Sequence, residues 1–227
     1  MKKIILALTL FTSLTFLSCS SDDNKSESTG ISTGNYWPMA VNNTWNFFGN
    51  DINSEIKIVG TAVFEGKTYF EIKDNSYSNS DINGYMIKEG ATYFQRVGET
   101  TVNENGVIIT IQGYEIPIFK DNLEENATWN GTVNQKASYV LNGKTTNLNG
   151  KLNYKGTILA INATETINDV IYTDVIKMSM VVKITFQNQT TEVSVEYWFA
   201  KDVGPIKTIE VGGGFNINRD LVNFSVD

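Results

Sequence analysis

The sequence predicts an all-β protein, an antiparallel meander sheet of about eleven to thirteen strands with little or no helix. Three observations predict it. Apolar and polar residues alternate with period two along most of the chain, which puts one face of each strand on a core and leaves the other wetter. Asn-Gly and related pairs punctuate the runs, and these residues tolerate the positive φ that tight hairpins require. Helical periodicity is nearly absent. The best candidate, Asp121 to Ala127, is only about two turns long and reads equally well as a loop.

The elements follow in order. Tyr36-Trp37-Pro38 opens the folded part, and Thr44-Trp45 starts the first strand. Glu55-Ile56-Lys57-Ile58-Val59 alternates and ends at the turn Glu65-Gly66-Lys67. Tyr85-Met86-Ile87 is a strand behind the polar stretch Asn79-Ser80-Asp81-Ile82-Asn83-Gly84. Further turns are expected at Asn105-Gly106, Asn142-Gly143-Lys144, Asn149-Gly150 and Asn188-Gln189. Val181 to Phe186 alternates again. The clearest strand is Glu192 to Phe199, with Val193, Val195, Tyr197 and Phe199 on one face and Glu192, Ser194, Glu196 and Trp198 on the other.

The chain also echoes itself. Pro38 to Trp45 ends Asn43-Thr44-Trp45 and Pro117 to Trp129 ends Asn126-Ala127-Thr128-Trp129, and each is followed by a strand and a hairpin-like stretch, Glu65 to Lys73 and Asn168 to Lys177. Two half-sheets built on one plan would give this pattern, as would chance among strand-and-turn sequences. Trp45 and Trp129, each at an apolar strand start, are expected in the core. Trp198 falls opposite the apolar face of its strand, where a large ring is unusual, so it is the candidate ligand-binding residue.

The N-terminus carries an address. Lys2-Lys3 precedes the apolar run Ile4 to Leu17, which closes on Leu17-Ser18-Cys19. That is the layout of a secretory signal, too short to span a bilayer. The cut before the only cysteine is similar to a bacterial lipoprotein signal, with residues 1–18 removed and Cys19 acylated. Acylation would also explain a secreted chain with one otherwise unpaired thiol. Residues 19–34 then form a tether rich in Ser, Asp, Asn, Thr and Gly, whose composition buries too little apolar surface to order itself. Residues 35–227 form a single β domain.

Removing residues 1–18 leaves sixteen basic and twenty-five acidic side chains, a net charge of −9. Such a chain repels phosphate backbones, so nucleic acid is not an expected partner. Attachment to a membrane must come through lipid on Cys19 rather than through charge.

Catalytic signals are sparse. The chain has no histidine, which removes His-based acid–base work, Ser-His-Asp triads and histidine metal sites. Gly212-Gly213-Gly214 is followed by no helix and reads as a turn. Glu124-Glu125 sits in a polar, turn-like segment and reads as a solvated loop. Asn79 to Gly84 resembles the start of a calcium loop, but Gly90 stands where the bidentate glutamate belongs. No metal or cofactor is expected.

Both ends of the mature chain resemble a known class. Tyr36-Trp37-Pro38-Met39-Ala40-Val41-Asn42-Asn43-Thr44-Trp45 is similar to the Y-F-P-L-x-V-G-N-x-W opening of secreted lipoproteins in Bacteroidetes-type bacteria. Trp198 to Lys207 is similar to their W-Y-A-x-G-V-G-L-V-K closing, with Asp202 and Pro205 as departures. Asp22-Asp23 after Cys19 resembles the acidic signal that sends such lipoproteins to the cell surface. The resemblance implies an outer-membrane, lipid-anchored protein with a carrier-like half-barrel. The absence of histidine and of a free thiol points to a non-catalytic binding or accessory role, with a hydrophobic ligand, a glycan or an envelope protein as partner. A structural envelope protein, or a hydrolase working through two carboxylates, are the alternatives.

Overall fold

The computed structural model describes residues 30–75, 84–104, 107–187, 189–212 and 214–227. Cys19, Asp22, Asp23, the Asn79 to Asn83 stretch, Asn105-Gly106 and Asn188 lie outside the described residues.

The fold is all-β, a single antiparallel sheet of fourteen strands that does not close into a barrel; among the described residues there is no helix. The strands are β1 (Thr44–Gly49), β2 (Ile52–Phe64), β3 (Lys67–Asp74), β4 (Gly84–Glu89), β5 (Thr92–Val97), β6 (Thr100–Glu104) and β7 (Val107–Ile111). They continue as β8 (Tyr114–Lys120), β9 (Thr128–Leu141), β10 (Lys144–Ile167), β11 (Val170–Phe186), β12 (Gln189–Ala200), β13 (Gly204–Gly212) and β14 (Phe215–Ser225). The count exceeds the expected range of eleven to thirteen by one.

Sequential strands pair almost throughout, as a meander should, with one excursion. The hairpin β6–β7 leaves its neighbours and pairs with β9, while β8 returns to pair with β5. These pairs lie at opposite margins of the sheet. Yet only Gly98-Glu99 and Gln112-Gly113 connect them, and a two-residue link spans at most about 11 Å. The sheet must therefore curl until its margins come near each other. Trp129 Nε1 donates to the Pro117 carbonyl at 2.9 Å across that gap, and Gln112 N donates to the Lys136 carbonyl at 2.9 Å.

Curling brings the inner faces together. Phe119 of β8 stacks on Phe199 of β12 with ring centroids 4.6 Å apart, and Tyr93 stacks on Phe119 at 5.2 Å. Trp37 packs edge-on against Trp45 and tilts over Phe199 at 5.4 Å. Trp45 is fully buried and Trp129 is 5% exposed, so both are core residues as the sequence implies. The centre of the inner face is thus filled by its own rings, while Val133, Tyr154, Val182 and Ile184 on the long strands are only partly buried.

The sequence echo is a structural repeat. Asn42 N donates to the Ile58 carbonyl and Ile58 N returns a bond to Asn43 O, at 2.8 and 2.9 Å. Asn126 N and Ile158 N do the same with Ile158 O and Ala127 O, at 2.8 and 3.0 Å. The register then slips just past Ile58 in β2 and just past Ile158 in β10. β1–β2–β3 and β9–β10–β11 are two versions of one unit.

One expected turn is corrected. Asn149-Gly150 lies inside β10, opposite Gln135 and Phe186. A Cβ on Gly150 would collide with the Phe186 ring and the Thr185 carbonyl, so the glycine serves close side-chain approach rather than a reversal. The reversal comes at Asn142-Gly143, with φ of 50° and 74°. Asp121 to Ala127 is a loop.

Candidate functional site

The N-terminal end of the domain is fastened. Ser32 Oγ donates to Asp121 Oδ2 at 2.7 Å, Thr33 N donates to Asp121 Oδ1 at 3.0 Å, and Thr33 Oγ1 donates to the Asp121 carbonyl at 2.7 Å. Lys88 Nζ pairs with Asp121 at 3.0 Å and donates to Ser32 Oγ at 2.8 Å. The last residues of the stretch read as a tether therefore dock on the loop after β8.

Trp198 stands on the outer face, opposite Tyr197 and Phe199, as alternation requires. It is half-buried rather than bare. Lys177 Nζ lies 3.7 Å from its ring centroid and Lys207 Nζ 5.4 Å, and Nε1 donates to Glu196 Oε1 at 2.6 Å. Lys177 pairs with Glu165 and Lys207 with Asp220, both at 2.6 Å. The indole is held by cation–π contacts inside a charged lattice.

Register extends this lattice across the sheet. Lys177, Trp198, Lys207, Asp220, Phe48 and Asn53 are successive cross-strand partners. From β12 to β2 this row crosses four strand spacings, roughly 19 Å.

The row ends at a cleft of about 400 Å³. Asn46, Asn53, Glu55, Asn75 and Asn223 line it, with Val222 at the rim and Phe47 and Ser54 as floor. A bulge makes it. Asn46 pairs with Asn223 and Phe47 with Leu221, so Val222 is left outside the ladder, and a bulge of this kind re-aims side chains. Asn46 Nδ2 donates to Asn223 Oδ1 at 2.8 Å, and Asn75 Oδ1 accepts from Glu55 N at 2.6 Å.

Beneath the floor lies a buried ion cluster. Arg219, 2% exposed, donates to both oxygens of Asp74 at 3.0 and 2.7 Å, to Ser54 Oγ at 3.3 Å and to Glu210 Oε1 at 3.5 Å. Its guanidinium lies 5.1 Å from the Phe47 ring centroid. Burial opposes this charge, but Asp74, Tyr197 and Glu210 together outweigh it and hold the Arg219 pKa above its ordinary value. Tyr197, withdrawn from water and facing Glu210, has its pKa raised. Arg219 Nε and Thr208 Oγ1 are buried without a partner among the described residues.

A second cleft, of about 370 Å³, lies on β9, β10 and β11, lined by Asn134, Gln135, Lys136, Asn149, Lys151 and Thr185. Both clefts are amide-rich. Sequence reasoning reached Trp198 and missed these, because a cleft built on a bulge and on three or four strands has no local signature.

No protein-family model matches this chain, and no curated protein is similar enough to count as a relative. Among solved structures, the chain is similar to a candidate lipoprotein from Parabacteroides distasonis, at 13% identity and a TM-score of 0.46, over 84% of this chain and 98% of that one.

Proposed function

We propose that this protein is a lipid-anchored envelope protein, carried on acylated Cys19, that binds a polar ligand without catalysing a reaction. One observation carries the choice of ligand. The centre of the inner face, where a carrier would hold an acyl chain, is occupied by Tyr93, Phe119, Phe199 and Trp37, while the clefts on the sheet are lined by asparagine, glutamine and lysine. Ligand sites place a few convergent polar groups where specificity is needed, and the amide clefts supply them. The carboxylates of partly exposed Asp74 and buried Glu210 are engaged with Arg219, which supports binding over carboxylate-driven hydrolysis.

The placement of Leu17-Ser18-Cys19 supports removal of residues 1–18, and Asp22-Asp23 supports delivery to the outer membrane and its outer surface. Trp198 belongs to the same reading as an outlying contact for a ligand that extends along the transverse row.

Mass spectrometry of the native N-terminus tests the anchor: an acylated Cys19 is expected, and a free thiol or retained Lys2-Lys3 overturns it. Calorimetric titration with neutral oligosaccharides and with fatty acids tests the ligand class. Saturable sugar binding is expected; fatty-acid binding alone, or turnover of a glycan lost on mutating a carboxylate, overturns it.

A further inference from the structure

We infer that the cleft between β14, β1 and β2 is a carbohydrate subsite that takes a neutral sugar ring. This rests on the binding reading above and assigns it a place. The chemistry of the lining is matched to hydroxyl groups. A carboxamide presents both donor and acceptor, and each sugar hydroxyl both donates and accepts. Within the cleft, Asn46 and Asn223 spend one donor and one acceptor on each other. That bond fixes both side chains and leaves the Asn46 carbonyl and the Asn223 amide hydrogens for a guest. Asn75 spends its oxygen on Glu55 N and keeps its amide hydrogens. Glu55 adds a carboxylate acceptor at the wall, and Val222, about half exposed, gives the apolar rim that the C–H face of a sugar requires.

The floor is stiff. Phe47 and Ser54 are 1% and 7% exposed, and each is held from below by Arg219. Arg219 is itself clamped in bidentate geometry by Asp74, the residue immediately before Asn75. A buried ion pair thus fixes the floor and one wall before any ligand arrives, which reduces the ordering cost of binding. The volume, about 400 Å³, lies at the lower end of the range for small-molecule sites and suits one or two sugar rings.

The test uses the mature chain, residues 19–227, in detergent, with side-chain amide resonances assigned by NMR. Neutral glucose, galactose and mannose tetrasaccharides are titrated to about 10 mM. The expected result is saturable movement of the Asn46, Asn53, Asn75 and Asn223 amide signals for at least one sugar. Asn53→Tyr, which fills the mouth from an exposed strand position, should weaken that binding at least tenfold with an unchanged melting temperature. Glu55→Gln, which cannot collapse the cleft, should weaken it about threefold. Movement confined to Asn134, Gln135 and Asn149 overturns the site and leaves the polar-ligand reading standing. No movement anywhere, with fatty acid shifting inner-face signals, overturns both.

Discussion

Asn42 and Asn126 are one position occurring twice. Both adopt the left-handed region, with φ of 80° and 67°, and both donate their N–H to the carbonyl of a fully buried isoleucine, Ile58 or Ile158. Each sets the chain direction three residues before a core tryptophan. Asparagine accepts this conformation more readily than other residues with a Cβ. Replacing either by Ala should therefore cost about 1 kcal/mol, while Gly should be tolerated within a few tenths. Equal losses at the two positions in denaturant melts would express the repeat energetically, and a loss at only one would deny it.

Arg219 ties four strands together, since its partners come from β2, β3 and β13 while it stands on β14. Arg219→Met should destabilise the domain by about 3–5 kcal/mol, because Asp74 and Glu210 are left near each other without their cation. Adding Asp74→Asn and Glu210→Gln should recover a substantial part. Urea midpoints at unchanged slope measure both effects, and a single Arg219→Met variant as stable as the parent would show that the cluster contributes little.

Asp121 holds Ser32 and Thr33 by charge-assisted bonds. Asp121→Asn preserves shape and weakens those bonds, so amide exchange at Thr33 should accelerate by about 10–100-fold while exchange at Trp45 is unchanged. Equal exchange at Thr33 in parent and variant would mean that the N-terminal segment is held by packing alone.

Alkaline pH should weaken the fold. Burial raises the pKa of Tyr36, Tyr69, Tyr93, Tyr114, Tyr172 and Tyr197, and Tyr69 is raised further by its 2.6 Å bond to Glu115. In the unfolded chain these phenols ionise near pH 10. Above that pH the unfolded state binds fewer protons than the folded state, so stability is full below about pH 10 and falls as pH rises further. Denaturant midpoints across that range should decline, and Tyr69→Phe should flatten the decline. A midpoint that stays level would contradict the direction of these shifts.

Much of the fold is legible because alternation is a local property. The phase of Val193, Val195, Tyr197 and Phe199 identifies the inner face of β12, and Thr-Trp marks both repeat starts. Two features are illegible for physical reasons. Pairing of β7 with β9 and of β5 with β8 depends on how far the sheet curls, which no short window encodes. Gly150 follows Asn149 just as Gly143 follows Asn142, yet only the second pair turns the chain; the neighbour that decides the difference, Phe186, is far along the sequence. The Arg219 cluster was partly readable. Leu221 is inward-facing, so alternation places Arg219 on the same face, but the polar stretch Asn218 to Asp220 reads as surface. The cleft was not readable at all, since its walls meet only once β1 has both neighbours.

The pairing of β1 with β14, which sets Thr44 beside Ser225, has a consequence for the order of assembly. The first strand waits for the last. While the chain is being delivered from its N-terminus, each half can form its own hairpins, but the seam between them stays open until nearly every residue has arrived. Contacts of such long sequence separation form slowly, because loop closure must precede any gain from them. An incomplete chain therefore carries two exposed sheet edges and cannot lock prematurely. It makes the final eleven-residue strand the step that closes the seam between the two halves and commits the molecule to its native state.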